Sequence, residues 1–407
     1  MRVIRTHIAV LVVAAGLCQA LPASGQPGGS YELIPAPDLW YNDVDGVRVG
    51  VRVLGQMSGT FEDGPHRLDA GAWFSSWTPE LPASYYLSFT EPIFSLSSFG
   101  SEANVRLRST IRTGFSKHGI EFNKRWLTGF DQDHFIRFTV GFGVQKRFDS
   151  EYVPFPTLWQ EELLWLSEAG VELRNRNGLG PYVLKSGLSA NLTGDAPSFA
   201  SSRSEFQQLA KLGAGFEFRT RLFAGISSNR TVPEFLHARG FLSPAGWMGM
   251  GLTRAKGTIP TAWMESGLFQ VAGGPNLRGY TETDIEQLNG GEIPLFTSMG
   301  SVNTEFDYPN PLDRAIKEIP VIGGVLRFRS YLFFDAGTSL GITETEESRT
   351  LSDAGPGFML SLNIPDYLGN PRGFSVRYDI PLWLSHTDGE SHFSYRSVIG
   401  IGAVISL

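Results

Sequence analysis

From Val47 onward the chain changes character at every second residue. Val47, Val49, Val51 and Val53 share one parity, and Arg48, Gly50 and Arg52 share the other. Ile136, Phe138, Val140, Phe142 and Val144 stand likewise against Arg137, Thr139, Gly141, Gly143 and Gln145. Near the C-terminus Phe358, Leu360, Leu362 and Ile364, and then Phe374, Val376, Tyr378 and Ile380, repeat the pattern. A period of two held over such lengths puts successive side chains on opposite faces of an extended strand. About sixteen such segments can be marked out, beginning with 45–57 and including 205–221, 245–254, 262–271, 299–308, 324–337, 356–364, 373–384 and 393–407.

Alternation alone suits a water-soluble sandwich as well as a barrel in lipid. The make-up of the two faces separates them: the polar parity mixes arginine with glycine, serine and threonine, and the apolar parity carries aromatic residues toward segment ends, as a membrane girdle does. Mean hydropathy is −0.08, as expected when an apolar exterior is offset by a polar lumen. Beyond the N-terminal segment there is no run long and apolar enough for a membrane helix, so a spanning form has to be a closed barrel that pairs its own backbone groups. The expected fold is all-β, a transmembrane antiparallel β-barrel of about 16 strands over residues 46–407. The polar, glycine-rich stretch from Gly273 to Ser298 is expected to be one long loop.

Arg2 and Arg5 precede an apolar run from Ile8 to Leu17, followed by small residues, which is the pattern of a secretory signal peptide over residues 1–25. Cys18, the only cysteine, would leave with it, so disulfide and thiol chemistry are not expected. Residues 26–45, rich in proline and glycine, read as a short periplasmic lead-in. The formal charge of −7 argues against a nucleic-acid partner, which calls for a basic surface. His386 and His392 flank Asp388 and Glu390, but at a spacing that matches no strong metal-ligand pattern. No nucleophile elbow marks any serine, so neither a metal, a cofactor nor enzymatic activity is expected. Arg48, Arg52, Arg106, Arg108, Arg112, Arg137, Arg219 and Arg221 fall on the lumenal parity, where they either line an anion-selective pore or pair with Glu217, Glu305, Asp307 and Asp379.

Within the expected loop lies Leu277-Arg278-Gly279-Tyr280, and downstream come Phe333-Phe334-Asp335-Ala336-Gly337, Gly355-Pro356-Gly357-Phe358 and Arg377-Tyr378-Asp379-Ile380-Pro381-Leu382. These four signatures, in this order, resemble those of the outer-membrane assembly-factor superfamily, which includes BamA, TamA, FhaC and the bacterial surface-antigen family. The resemblance is specific over 273–407 and only that of a generic barrel before it. It implies that the loop folds into the lumen, with Arg278 reaching Asp335 beside Phe333 and Gly337. It implies as well that the final strand, with Gly402, Ile405 and Leu407, is read by the barrel assembly machinery, although a terminal aromatic is missing. A Sec-exported protein of the bacterial outer membrane follows, in contact with lipid and lipopolysaccharide, aiding protein insertion or secretion. The periplasmic POTRA domains that usually receive clients have no counterpart in residues 26–45, so a separate periplasmic partner is implied. A passive pore and a membrane anchor for another subunit stand as the alternatives.

Overall fold

The computed structural model describes residues 31–42, 46–57, 67–77, 83–112, 114–129, 131, 133–148, 155–243, 245–246, 261–281, 295–342, 350–365, 371–387, 391–402 and 404–405. The expected signal peptide and Leu407 lie outside the described residues.

The chain folds into one all-β sheet. Its strands are β1 Tyr31–Asn42, β2 Gly46–Met57, β3 Arg67–Ser75, β4 Ala83–Pro92, β5 Ser101–Arg112, β6 Phe115–Leu127, β7 Phe135–Arg147, β8 Leu164–Arg176 and β9 Pro181–Asn191. They continue with β10 Phe199–Gly213, β11 Phe216–Ser227, β12 Phe269–Val271, β13 Phe296–Asp307, β14 Leu326–Ile342, β15 Thr350–Pro365, β16 Pro371–Asp379, β17 Trp383–Leu384 and β18 Val398–Ile401. From β1 to β11 each strand pairs antiparallel with the next; β11 then pairs with β13, and the meander runs on through β14, β15, β16 and β18. Parity sorts the faces as lipid requires. Val47, Val49 and Val51 are exposed while Arg48 between them is buried, and Leu332 and Phe334 are exposed while Tyr331, Phe333 and Asp335 are not. The interior is polar: a cavity of about 320 Å³ is walled by Arg67 of β3, Arg106 of β5, Arg125 of β6, Arg137 of β7, Glu172 of β8 and Lys185 of β9, so the sheet curls around a lumen.

Three stretches differ from the sequence expectation. Residues 31–42, inside the expected lead-in, form β1. Pro35 and Pro37 read as breakers, yet an edge strand tolerates proline wherever the missing N–H would point away from the sheet, and these two face Val53 and Val51 on β2. Residues 205–221, expected as one strand, are a hairpin of β10 and β11. Its turn, Gly213-Ala214-Gly215, has positive φ at all three residues, which glycine on either side makes affordable. The segment 262–271 is not a wall strand but holds part of a short helix, Thr261–Glu265, and the three-residue β12, and of 245–254 only residues 245–246 are described, outside any strand. The described residues between β11 and β13, 228–243, 245–246, 261–281 and 295, hold no strand of the meander, so the interruption begins at Ser228 rather than at Gly273 and ends before Phe296 rather than at Ser298.

Among the described residues no pairing joins the two ends of the sheet. Among the described residues β1 pairs only with β2. The far edge of β18 is taken by β12, in parallel, with Phe269 opposite Ile399 and Val271 opposite Ile401. The final strand is also shorter than the expected 393–407. Gly402 turns the chain with φ +77°, and Ile405 beyond it is buried outside any strand.

Candidate functional site

The described parts of the loop between β11 and β13 pack inside the sheet rather than spread over its rim. Leu236, Ala238 and Phe241 cluster with Phe115, Phe155 and Trp159, while Val232 and Phe235 cluster with Leu164, Leu166 and Phe199. These apolar contacts bring the tip Leu277–Tyr280 against β13–β16. The approach is fixed by hydrogen bonds to main-chain oxygens, with Leu277 N donating to Arg239 O at 3.0 Å, Asn303 Nδ2 to Asn276 O at 3.0 Å and Ser301 Oγ to Pro275 O at 2.8 Å.

Arg278 lies in a single turn of 3-10 helix and is fully buried. Its fork meets Asp335 side-on: Nε donates to Oδ2 at 2.7 Å and Nη2 to Oδ1 at 2.8 Å. Nη1 donates to Glu305 Oε1 at 3.0 Å and reaches Asp379 Oδ1 at 3.4 Å. The guanidinium carbon sits 3.9 Å from the centre of the Phe333 ring, a cation–π contact in a dehydrated setting. Burial alone would push this guanidinium toward its neutral form, but the carboxylates of Asp335 and Glu305 outweigh that and raise its proton affinity above the ordinary value. Planar, two-pronged donation of this kind is beyond a lysine.

The neighbouring residues make room for the tip. A side chain at Gly337 would press on Leu277, and one at Gly279 would meet the Asp353 side chain at 2.8 Å. Leu277 and Tyr280 pack with Leu351 and Leu384, and Tyr280 Oη bonds Ser352 O and Ser385 Oγ, each at 3.3 Å. Burial pushes the Tyr280 phenol up. The tip thus brings together Leu277, Arg278, Gly279 and Tyr280 with Asp335, Phe333 and Gly337. Gly402 stands apart, beside β12, and Ile405 lies beyond it.

Sequence reasoning did not assign Glu305 and Asp379 to Arg278, although it set both on the lumenal parity as partners for other arginines. It missed a wider charge lattice too. Arg329 donates to Glu305 and Asp307, Tyr331 Oη donates to Asp379 Oδ1 at 2.7 Å, and Arg377 bonds both Asp379 and Gln270 of β12. The signal was present in the shared parity of Glu305 with Asp307, and of Arg377 with Asp379. Most of the arginines left open between pore and pairing are paired or stacked. Arg106 and Arg108 share Glu121, Arg137 meets Glu172, Arg219 meets Glu217 and Asp307, and Arg221 meets Glu205. Arg48 and Arg112 lie over the Trp73 ring at 4.6 and 5.0 Å. Of the candidate histidines, His392 places Nδ1 2.9 Å from Leu384 O, and His386 N donates to Tyr280 Oη at 3.2 Å.

No family model matches the chain, and no curated protein matches it. Among solved structures it is similar to BamA from Haemophilus ducreyi lacking POTRA domains 1–3, at 12% identity and a TM-score of 0.45, over 93% of this chain and 71% of that one. A likeness at that level adds nothing to the geometry as evidence of function.

Proposed function

We propose that this protein is an outer-membrane barrel of the assembly-factor kind, which eases client proteins into or across the membrane at the junction of its first and last strands, in concert with a separate periplasmic partner. The seam carries this reading. β1 presents a strand edge with no partner strand among the described residues, and β18 is held by β12 of the barrel's own loop. An unpaired edge is a template for another extended chain. The buried fork of Arg278 supports the same reading, because it holds the loop inside while that junction stays open.

Reconstitution into phospholipid vesicles tests it. The purified protein is expected to speed the folding of a small client barrel several-fold over protein-free vesicles. Steady single-channel conductance without such acceleration would favour a passive pore. Neither effect, with a soluble protein co-purifying from native membranes, would favour an anchor; either result overturns the proposal. Export through the Sec route and residence beside lipopolysaccharide belong to the same proposal, and recovery of the protein from the soluble periplasm would end it.

A further inference from the structure

Between β13 and β14, at the rim opposite the long loop, the sheet is not closed by a tight turn. Instead Pro311–Lys317 and Ile322–Val325 form two short helices joined by Glu318–Val321. No residue of either helix is buried, so the pair has no core of its own. It is nonetheless firmly built. Asn310 caps the first helix by accepting from Leu312 N at 2.8 Å, Asp313 Oδ1 accepts from Phe328 N of β14 at 3.0 Å, and Arg327 Nη1 donates to Gly323 O at 2.6 Å.

This element displays apolar side chains alongside the exposed charges of Arg314, Lys317 and Glu318, the mix that an interface between hydrocarbon and headgroups takes. Leu312, Ile319, Val321 and Ile322 are all exposed, with Val321 at 87%. Val321 is also strained: its φ is +69° and ψ −52°, and Ile322 N donates back to Pro320 O at 2.8 Å, closing a γ-turn of the unfavourable hand. A β-branched residue avoids positive φ, and a valine at the tip of a turn gains nothing from water. The exposed valine side chain fits a tip that sits outside water.

The surface next to it is the lipid-facing wall. Phe328 and Phe358 stack there, and Leu332, Phe334 and Leu360 are exposed along the same face. We infer that the Pro311–Val325 hairpin is an interfacial lipid anchor, which sets Leu312, Ile319, Val321 and Ile322 into the phospholipid boundary at that rim. This depends on the barrel lying in a bilayer and not on any insertase activity.

The test uses the full chain with Cys18→Ser, carrying Val321→Cys, Glu318→Cys or Leu332→Cys labelled with an environment-sensitive fluorophore, in vesicles of phosphatidylethanolamine and phosphatidylglycerol. The label at 321 is expected to be quenched by lipids spin-labelled near the headgroup and to be several-fold less sensitive to aqueous iodide than the label at 318. Leu332→Cys reports that the barrel is embedded. Iodide sensitivity at 321 equal to that at 318, with the label at 332 still quenched by lipid, would overturn the inference while leaving the barrel in place. Protection at 321 that appears in native membranes but not in these vesicles would assign the tip to a protein partner and overturn it as well.

Discussion

Arg278 is buried among three carboxylates, and cutting it back takes from Asp335 its cationic partner and from Glu305 and Asp379 one of two, since Arg329 still meets Glu305 and Arg377 still meets Asp379. Breaking a well-buried pair leaves an uncompensated charge and costs roughly 3–5 kcal/mol. Arg278→Ala is expected to cost more than Asp335→Ala, because it leaves Asp335 without a cation and takes one of two cationic partners from each of Glu305 and Asp379. In urea unfolding of the detergent-solubilised barrel, the double variant should cost less than the sum of the two by about 1–3 kcal/mol; additivity would show that the pair does not anchor the tip. Asp353 supplies a contrast. It lies directly opposite Asp335, fully buried, against Gly279 of the loop tip. Two facing carboxylates repel, so Asp353→Asn should leave stability unchanged or raise it by up to about 1 kcal/mol. A loss as large as that of Asp335→Asn would mean that Asp353 helps hold Arg278. The pairing of Arg278 with Asp335 was legible from one loop motif and the parity of a single strand. The roles of Glu305 and Asp379 were not, since parity tells which side chains enter a lumen but not which of them meet.

The lumenal loop carries two buried titratable groups with opposite pH behaviour. Burial pushes Glu234 up from 4.5 to about 7, against the pull of Arg147, and burial, aided by Arg203, pushes His237 down from 6.5 to about 4. A carboxyl whose folded pKa is raised keeps its proton on folding, so its contribution falls as pH rises from 4.5 to about 7. A histidine whose folded pKa is lowered must shed its proton to fold, so its contribution is present above 6.5 and is lost as pH drops toward 4. The two slopes cover nearly the same window and oppose one another, leaving the native loop almost flat in pH. Glu234→Gln is expected to expose a stability that rises with pH between 4 and 6.5, and His237→Gln one that falls between 4.5 and 7. Thermal melts across that range check both, and parallel profiles for the two variants would refute the compensation. The loop's extent was hard to read in the sequence because Phe235, Leu236, Phe241 and Val271 are as apolar as a wall strand while packing inward. The hairpin of β10 and β11 was masked for a related reason: apolar residues continue on either side of Gly213 and Gly215, and only the glycines betray the turn.

At the level of the whole barrel, the meander contains sixteen strands among the described residues when β12 and β17 are set aside. Parity conveyed that architecture because one rule, apolar outward and polar inward, governs every strand of the wall. It did not convey the seam, where β1 was hidden by Pro35 and Pro37. Those prolines bear on closure. On β1 their nitrogens are directed away from β2, so if β1 is to pair with the last strand, the junction lacks two donors. A typical backbone hydrogen bond contributes about 0.5–1.5 kcal/mol net, and alanine at each site gives back roughly 0.4–1 kcal/mol through the freer unfolded chain. Pro35→Ala with Pro37→Ala is therefore expected to gain up to about 1–2 kcal/mol if the seam zips. The melting temperature of the barrel should rise by a few degrees, and acceleration of client folding should drop, because a tighter junction is harder to part. β12 competes for the same place, so Ala272→Pro, which removes the donor to Ile401 O, should deepen the effect by loosening the loop strand from β18. Melting and client-folding assays on the double and triple variants decide the matter. If the double variant melts no higher than the parent and folds clients just as fast, the prolines do not weaken the junction, and the first and last strands are kept apart by β12 alone.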